Sequence, residues 1–190
     1  MKIALWFPVA IGLVVNDAVD NDSIKDHCLK LKEKIPSGGE NWVNRSVYNT
    51  DETYSILDDE VFKSVTSWVE DKVNIYAKEL KFKNYYKPKD GWFSLYGKGD
   101  SQEFHTHSGN TFSCIYCVSA PPGSSPTVFE SLREPDMINP SIIEWNSINA
   151  LTCNYEAEVG RLIIFRSYLK HCVPPNAGSG PRITLAYNLW

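Results

Sequence analysis

The sequence predicts a mostly β protein with some α (α+β), a jelly roll or sandwich that amino-terminal helices brace. Composition is the first reason, since 190 residues with 43% hydrophobic and 13% aromatic content suit one domain with a real core. The second reason is a change in the hydrophobic pattern near residue 90, where helical periodicity is replaced by short β runs separated by turn residues. We therefore expect a single domain over 1–190, with strands and supporting helices in 1–90 and the jelly-roll core in 91–190.

The chain opens with an apolar run, "MKIALWFPVAIGLVV", which predicts one or two buried strands over Ile3–Phe7 and Ile11–Val15. A lysine followed by an apolar run is also typical of a secretory signal peptide. Against that alternative, Pro8 interrupts the run, no clear cleavage site follows, and the run is too short to span a bilayer. The sequence favours strands.

Two segments predict amphipathic helices. "NDSIKDHCLKLKEKI" (residues 21–35) opens with residues that favour helix caps, repeats apolar side chains at near-helical spacing, and stops at "PSGG". "DDEVFKSVTSWVEDKVNIYAKEL" (residues 58–80) has apolar residues at three- and four-residue intervals and acids at its start. His27 stands among charged neighbours on the first helix, where we expect a solvated surface side chain.

The second half of the chain predicts strands. The β runs are "GWFSLYG", "FSCIYCVSA", "PTVFES", "NALTCNYEAE", "RLIIFRSYL" and "RITLAYNLW".

Charge and cysteine content narrow the function classes. Net charge is −4 and no block of Lys and Arg occurs, so we expect neither nucleic acid nor a membrane surface as a partner. Five irregularly spaced cysteines cannot all pair, which favours a reducing, cytoplasmic environment. Cys114 and Cys117 form a CxxC, but residues three apart on a strand point to opposite faces. A zinc or redox site at this CxxC is therefore not expected.

Three histidines form the candidate metal site. His105 and His107 are separated by one residue at a strand end, so that their imidazoles share a face. His171 stands at the end of a later strand. Alone, an HxH at a strand end is more often incidental than functional, but three imidazoles converging at a barrel mouth would suit iron, zinc or copper.

An arginine follows on the last predicted strand. Arg182 and Thr184 are again separated by one residue and share a face. The guanidinium fork grips two carboxylate oxygens at once, so the pair is suited to clamp a small organic anion beside the metal.

In this order, HxH, a distant His and then an Arg, the chain resembles the iron(II)/2-oxoglutarate-dependent dioxygenases of the prolyl-hydroxylase-like superfamily, and more narrowly a group of bacterial and phage 2OG-Fe(II) oxygenases. The matching pieces are "LWFPVAIGLVV", "GWFSLYGKGDSQEFHTHSGNTFSCIYCVSAP", "RLIIFRSYLKHCVPPN" and "RITLAYNL", which recur in the right order over nearly the whole chain.

The resemblance implies a double-stranded β-helix core, Fe(II), 2-oxoglutarate and dioxygen, and hydroxylation of a substrate C–H bond with release of succinate and CO2. It assigns His105 and His171 to the two histidine ligand positions. Arg182, helped by Thr184, would hold the distal carboxylate of 2-oxoglutarate. Tyr96 or Tyr116 would donate a phenol hydrogen bond to the same carboxylate.

One position departs from the family pattern. The usual ligands are two histidines and one carboxylate, with the carboxylate two residues after the first histidine. His107 stands there, so either it completes a three-histidine site or it contacts substrate or the other ligands without binding metal. Geometry favours ligation; Glu103 or Glu130 is a less favoured source of a carboxylate.

Two other functions stay open at this stage. A cupin-like metal enzyme or metal-binding module would share the jelly roll and the histidines without using 2-oxoglutarate, and it would not need Arg182. A non-catalytic binding domain would explain the departure at His107 as lost chemistry. The sequence identifies neither the substrate nor the oligomeric state.

Overall fold

The computed structural model describes residues 1–40, 42–133, 137–138 and 140–190. Within these ranges the chain forms ten strands and two α-helices. The helices are α1 (Asn21–Lys32) and α2 (Lys63–Glu79), and two short 3-10 turns, Ile56–Asp58 and Glu60–Phe62, lead into α2. The strands are β1 (Gly12–Val15), β2 (Tyr48–Asn49), β3 (Pro88–Tyr96), β4 (Gln102–His105), β5 (Phe112–Ser119), β6 (Thr127–Glu130), β7 (Thr152–Tyr155), β8 (Arg161–Arg166), β9 (His171–Val173) and β10 (Arg182–Leu189).

The strands form two sheets that face each other. The larger sheet has the order β1-β8-β5-β10-β3-β2 and the smaller one β4-β9-β6-β7, with antiparallel pairing throughout the described ladders. Between them, Phe129 of the smaller sheet packs in one apolar cluster with Ile163 and Phe165 of the larger sheet. This arrangement confirms the predicted jelly-roll architecture.

Both helices cover the outer face of the larger sheet. Their apolar faces, which include Cys28 of α1 and Val69 of α2, are buried in one core with alternate residues of β5, β8 and β10. Asp20 caps α1 by accepting the Ser23 backbone N–H. The predicted helices are confirmed, although the second begins at Lys63 because Asp59 instead caps the 3-10 turn before it.

The predicted strand Ile3–Phe7 is wrong. The structure has no strand before Gly12 in the described amino-terminal residues, and Trp6 is 79% exposed. Phe7 adopts a left-handed backbone with φ 59°, and Pro8 has no N–H to donate to a ladder, so the segment does not pair. The other predicted strand is present as β1, which pairs with β8, but it is not buried as predicted, since Leu13 and Val15 are exposed. None of the described helices is both long and apolar enough to cross a membrane.

We predicted a solvated surface side chain at His27, and this prediction is wrong, because His27 is half-buried. Its Nε2 lies 2.6 Å from Oδ2 of Asp59, and its ring packs 5.5 Å from that of Phe62. Helix α1 and the 3-10 turn before α2 meet at this point, and their contact buries the imidazole.

The divergence of the CxxC thiols is confirmed. Cys114 belongs to the core between the larger sheet and the helices, whereas Cys117 lies on the inner face near Arg182. Both are free thiols, and burial raises their pKa values. Neither is a reactive thiolate.

Candidate active site

Three imidazoles meet between β4 and β9. His105 ends β4 and pairs in register with His171, the first residue of β9, while His107 follows β4 by two residues. The ring centroids of His105 and His171 are 4.3 Å apart, and that of His107 lies 5.1 and 5.2 Å from the other two. One ligand nitrogen from each ring can be chosen so that all three lie within 4.8 Å of one another.

The hydrogen bonds of two of the rings fix which nitrogen is free. Nδ1 of His105 lies 2.8 Å from the Glu103 carbonyl and Nδ1 of His171 lies 3.1 Å from the Leu169 carbonyl. A carbonyl only accepts, so each Nδ1 carries the proton and each Nε2 keeps its lone pair. Nε2 of His107 approaches Nε2 of His171 to 3.4 Å. Such a convergence of imidazole nitrogens fits a shared cation, and it is the donor set that a divalent transition metal accepts.

The surroundings keep the three imidazoles neutral. Burial lowers the pKa of His107 to about 3, and the neighbouring His105 adds to the effect. Burial also lowers the pKa of His171 well below its usual value and that of His105 against the opposing influence of Glu103. Metal binding requires the unprotonated ring, so burial holds these side chains in the ligating form at neutral pH.

Aromatic rings hold the imidazoles in place. Trp42 packs 5.1 Å from the ring of His105, and Trp92 packs 5.7 Å from that of His107. Phe129 and Phe165 contact His171 from the sandwich interior, at 5.6 and 4.7 Å. These rings restrict the orientations that the imidazoles can adopt, and they shield His171, which is 2% exposed, from water.

Among the described residues no carboxylate joins this group. Glu103 accepts backbone N–H groups from Val43 and Asn44 at 2.8 and 3.3 Å. Glu130 pairs with Lys170 at 2.9 Å. Both candidate carboxylates are thus engaged elsewhere, and the candidate ligand set consists of three imidazoles.

Arg182 is a buried cation on the inner face of the larger sheet. Only 2% of its surface is exposed, and its Nη2 donates to Oγ1 of Thr127 at 3.1 Å. Its Nε and Nη1 are buried and have no hydrogen-bond partner in the described part of the chain. Unpaired buried donors on a cation are costly. An anionic ligand beside the guanidinium would give these donors a partner.

Tyr96 lies beside this guanidinium, and Thr184 shares a face of β10 with Arg182. Tyr96 is the register partner of Arg182 across β3 and β10, and the Arg182 Cζ lies 4.9 Å above its ring. Burial raises the pKa of Tyr96 although Arg182 opposes the shift, so the phenol keeps its proton and can act as a donor. Thr184 is buried two residues along on the same face of β10.

The structure does not bring Tyr116 to this site. Tyr116 alternates with Ile115 and Cys117 on β5, which border the space beside Arg182, so its side chain points to the other face of the sheet. There its hydroxyl donates to Oδ1 of Asn21 at 3.0 Å and its ring packs edge-on against Trp68. The role predicted for Tyr116 is wrong, because strand alternation places the phenol against the helices.

A cavity of about 250 Å³ opens beside the histidines, and the sequence did not predict it. Besides His105 and His107 it is lined by Trp42, Asp51, Asp90, Trp92, Glu103, Thr106 and Asn188. The alternation of side chains along a strand could have predicted that Trp92 lies at the site, because Trp92 shares a face of β3 with Tyr96.

Trp42 and Asp51 come from a segment without periodicity, but "PSGG" is a signal in retrospect. A Cβ on Gly38 would lie 1.7 Å from the Asp51 carbonyl oxygen, and Gly39 has φ +73° with its would-be Cβ 2.9 Å from Trp42. These two glycines allow the cavity wall to form.

Solved structures with this fold cover nearly the whole chain. A prolyl-4-hydroxylase from Pseudomonas putida matches with TM-score 0.66 at 12% identity, over 95% of this chain and 92% of that one. The viral collagen prolyl hydroxylase of Paramecium Bursaria Chlorella virus-1, solved with 2OG, matches with TM-score 0.61 at 12% identity over 94% of each chain. A Trichoplax adhaerens prolyl hydroxylase in complex with a hypoxia inducible factor peptide matches with TM-score 0.64 at 15% identity, over 94% and 82%. At these identities the likeness establishes the fold.

The sequence itself carries the family assignment. No curated protein matches the chain. The family profile described as 2OG-Fe(II) oxygenase matches residues 90–188, which is the part that contains all three histidines and Arg182. This stretch is more than half of the chain, and it favours a 2-oxoglutarate enzyme over a cupin-like protein. The chain belongs to the 2OG-Fe(II) oxygenase family.

Proposed function

We propose that His105, His107 and His171 hold Fe(II), that Arg182 with Thr184 and Tyr96 holds the distal carboxylate of 2-oxoglutarate, and that the enzyme hydroxylates a C–H bond of its substrate. The observation that carries the proposal is the pair of unsatisfied, buried nitrogens on Arg182, Nε and Nη1, on the inner face of the larger sheet, while the neutral imidazoles belong to the smaller sheet that faces it. A buried cation without a counter-ion implies an anionic ligand, and the imidazoles imply a metal.

The spacing along β6 of the residues next to Arg182 and His171 supports 2-oxoglutarate as the ligand. Thr127, which accepts from Arg182, stands two residues from Phe129, which pairs in register with His171. Two residues along a strand span roughly 7 Å and return to the same face. A five-carbon dicarboxylate has about that length, so one molecule can reach from the guanidinium to the histidine cluster.

When bound, iron and 2-oxoglutarate supply the oxidising chemistry: dioxygen, 2-oxoglutarate and a substrate C–H group give succinate, CO2 and a C–OH group. The chain's own residues supply binding and orientation. The carbonyls of Glu103 and Leu169 orient two imidazoles, and burial keeps all three unprotonated. Thr127 holds the guanidinium of Arg182 in a dry interior, where its attraction for a carboxylate is strong.

His107 as a third ligand is part of the proposal. Its Nε2 lies 3.4 Å from Nε2 of His171, which favours ligation over a role outside the metal's ligand sphere. A neutral imidazole in place of a carboxylate would leave the centre one unit more positive, so we expect altered redox behaviour relative to relatives with a carboxylate.

Several further predictions from the sequence belong to this proposal. They are a single domain over 1–190, a cytoplasmic location, and the lack of nucleic-acid and membrane partners. The free, buried thiols are compatible with a reducing compartment.

Anaerobic titration tests the proposal. Adding 2-oxoglutarate to the Fe(II)-loaded protein should produce the weak visible charge-transfer band of the chelate, and Arg182→Ala should shift the titration to much higher concentration. Arg166→Ala is the matched control, because Arg166 lies on the outer face of the same sheet and stacks on Phe82. Absence of the band, together with no effect of Arg182→Ala, would rule out the use of 2-oxoglutarate.

Two further measurements separate the alternatives. A band that persists unchanged in His107→Ala would show that His107 is not a required ligand. Succinate release in air with the loaded wild type would distinguish an active enzyme from a domain that binds both cofactors without turnover.

A further inference from the structure

The cavity beside the histidines is lined by negatively charged side chains. Its described lining contains three acidic side chains, Asp51, Asp90 and Glu103, and neither lysine nor arginine. Glu103 is already occupied, since its carboxylate accepts the Val43 and Asn44 backbone N–H groups. Asp51 and Asp90 are therefore the groups that a ligand would meet.

These two carboxylates repel each other without a cation between them. Burial raises the pKa of Asp51, and the charges of Glu52 and Asp90 raise it further, whereas a hydrogen bond from Trp42 opposes the shift. Neither aspartate forms an ion pair with a lysine or arginine of the described chain. A bound cation would relieve both the burial cost and the repulsion.

A second, independent group points into the same cavity. Asn188 is only 6% exposed, and its Oδ1 accepts from Oγ of Ser113 at 2.9 Å. Ser113 in turn bonds to Ser167 at 2.9 Å, and the Ser167 carbonyl accepts the His107 backbone N–H at 3.0 Å. This network fixes the amide beside the histidines. The Asn188 NH2 group has no partner among the described residues, so it is left as a donor for a ligand acceptor.

Two indoles complete the walls. Trp42 packs on His105 and Trp92 on His107, so both rings stand at the metal cluster itself. Indole faces attract cations, and an ammonium or guanidinium can lie against them while it pairs with a carboxylate. The volume of about 250 Å³ is near the small end of ligand pockets, which suits one residue-sized group.

We propose that the substrate group entering this cavity is cationic, a primary ammonium or guanidinium the size of an amino-acid side chain, held by Asp51 and Asp90 between Trp42 and Trp92. Asn188 donates to a carbonyl or similar acceptor on the same molecule. The inference rests on the proposed function, which makes this cavity the substrate side of the iron site. It predicts poor binding of substrates that present a carboxylate or phosphate to this cavity, because every side chain of its described lining that is charged at neutral pH is acidic.

Binding of small cations tests this without relying on turnover. The full chain, with Zn(II) and 2-oxoglutarate present, is titrated with Nα-acetyl-L-arginine amide and with Nα-acetyl-L-lysine amide. The indole N–H signals of Trp42 and Trp92 are followed by 15N NMR after assignment with Trp→Phe variants. Nα-acetyl-L-citrulline amide and Nα-acetyl-L-norleucine amide are the neutral, similarly shaped controls, because acetylation removes the α-ammonium charge from all four compounds.

We expect both cations to shift the two indole signals and the neutral controls to bind roughly tenfold or more weakly, since a charged hydrogen bond contributes about 1.5–3 kcal/mol. Asp51→Asn and Asp90→Asn should remove the preference for charge, whereas Asp17→Asn, at an exposed site outside the cavity, should keep it.

Equal binding of the neutral amides, or charge preference that persists in the double variant Asp51→Asn/Asp90→Asn, would overturn the inference. The outcome is distinguishable from failure of the proposed function, which is read separately from the Fe(II) and 2-oxoglutarate charge-transfer band in the absence of any cation. A protein that gives the band but ignores the cations refutes only the substrate class.

Discussion

The two faces of β10 carry opposite kinds of side chain. On the outer face, Ile183, Leu185, Tyr187 and Leu189 are fully buried against the helical layer in one apolar core. On the inner face, Arg182, Thr184 and Asn188 are also buried, but they are polar. Burial is nearly equal on both sides, so the contrast is in chemistry and not in exposure.

The contrast indicates that one face of β10 stabilises the fold and that the other face binds ligand. The outer face gains stability from the removal of apolar surface from water. On the inner face, Arg182 has two buried nitrogens, Nε and Nη1, without a partner in the described chain, and such groups lower stability until a ligand pairs with them. We therefore expect substitutions on the two faces to separate stability from ligand binding, and this expectation can be broken experimentally.

The largest effect on binding is expected for Arg182→Met. Removing the guanidinium should weaken 2-oxoglutarate binding roughly 30-fold or more, because truncation of one partner of a buried charge pair costs about 2–5 kcal/mol. The free energy of unfolding without ligand should be unchanged or higher, since an unpaired buried charge is replaced by an apolar chain of similar length. Anaerobic titration and urea unfolding measure the two quantities. A large loss of stability with intact binding would reverse the assignment of the faces.

Leu185→Ala is the counterpart on the outer face. Leu185 is fully buried in the core between sheet and helices, so its truncation should lower the free energy of unfolding by about 2–5 kcal/mol. The 2-oxoglutarate affinity of the folded fraction should stay within about twofold of wild type. Urea unfolding followed by far-UV circular dichroism gives the first value, and titration well below the unfolding midpoint gives the second. Parallel losses of stability and affinity would show that the faces are coupled.

The sequence was sufficient for most of the fold, because strand runs and helical periodicity are local signals. The six predicted β runs correspond to β3, β5, β6, β7, β8 and β10. The short strands β2 and β9, at Tyr48–Asn49 and His171–Val173, have too few residues for a period of two to be visible. The failure at Ile3–Phe7 has a different cause, since apolar composition alone does not provide a pairing partner.

The sequence predicted the site residues that belong to a motif with regular spacing. It did not predict the residues that tertiary packing brings to the site. His105, His107 and Arg182 follow from residue types and strand parity. Thr127, Trp42 and Asp51 reach the site only because distant segments meet, and the glycines before Trp42 become informative only once that packing is known. Tyr116 was misplaced because the parity of β5 relative to the interior was not fixed, and a shift of one residue exchanges the two faces of a strand.

Thr127→Val tests whether the Thr127 hydroxyl positions the guanidinium of Arg182. Thr127 is buried and accepts from Nη2 of Arg182, so the isosteric valine removes that bond while keeping the shape. We expect 2-oxoglutarate to bind roughly tenfold more weakly, in line with about 1.5 kcal/mol for a hydrogen bond to a charged group. Thr127→Ser retains the hydroxyl and should restore most of the affinity. If serine and valine behave alike, the hydroxyl does not position Arg182.

The smallest effects are expected from a pair of tyrosines, and they test the comparison most directly. Tyr116→Phe removes the hydroxyl that donates to Asn21 of α1 on the outer face, so it should lower the free energy of unfolding by about 1 kcal/mol and leave 2-oxoglutarate affinity unchanged. Tyr96→Phe removes the phenol beside Arg182 on the inner face, so it should weaken 2-oxoglutarate binding several-fold, as expected for a bond of about 0.5–1.5 kcal/mol. Both substitutions delete one oxygen from a buried ring, which makes each the control for the other. The opposite pattern, with affinity lost in Tyr116→Phe and retained in Tyr96→Phe, would mean that the cosubstrate lies on the helical side of the sheet, and the separation of a stabilising face from a binding face would fail with it.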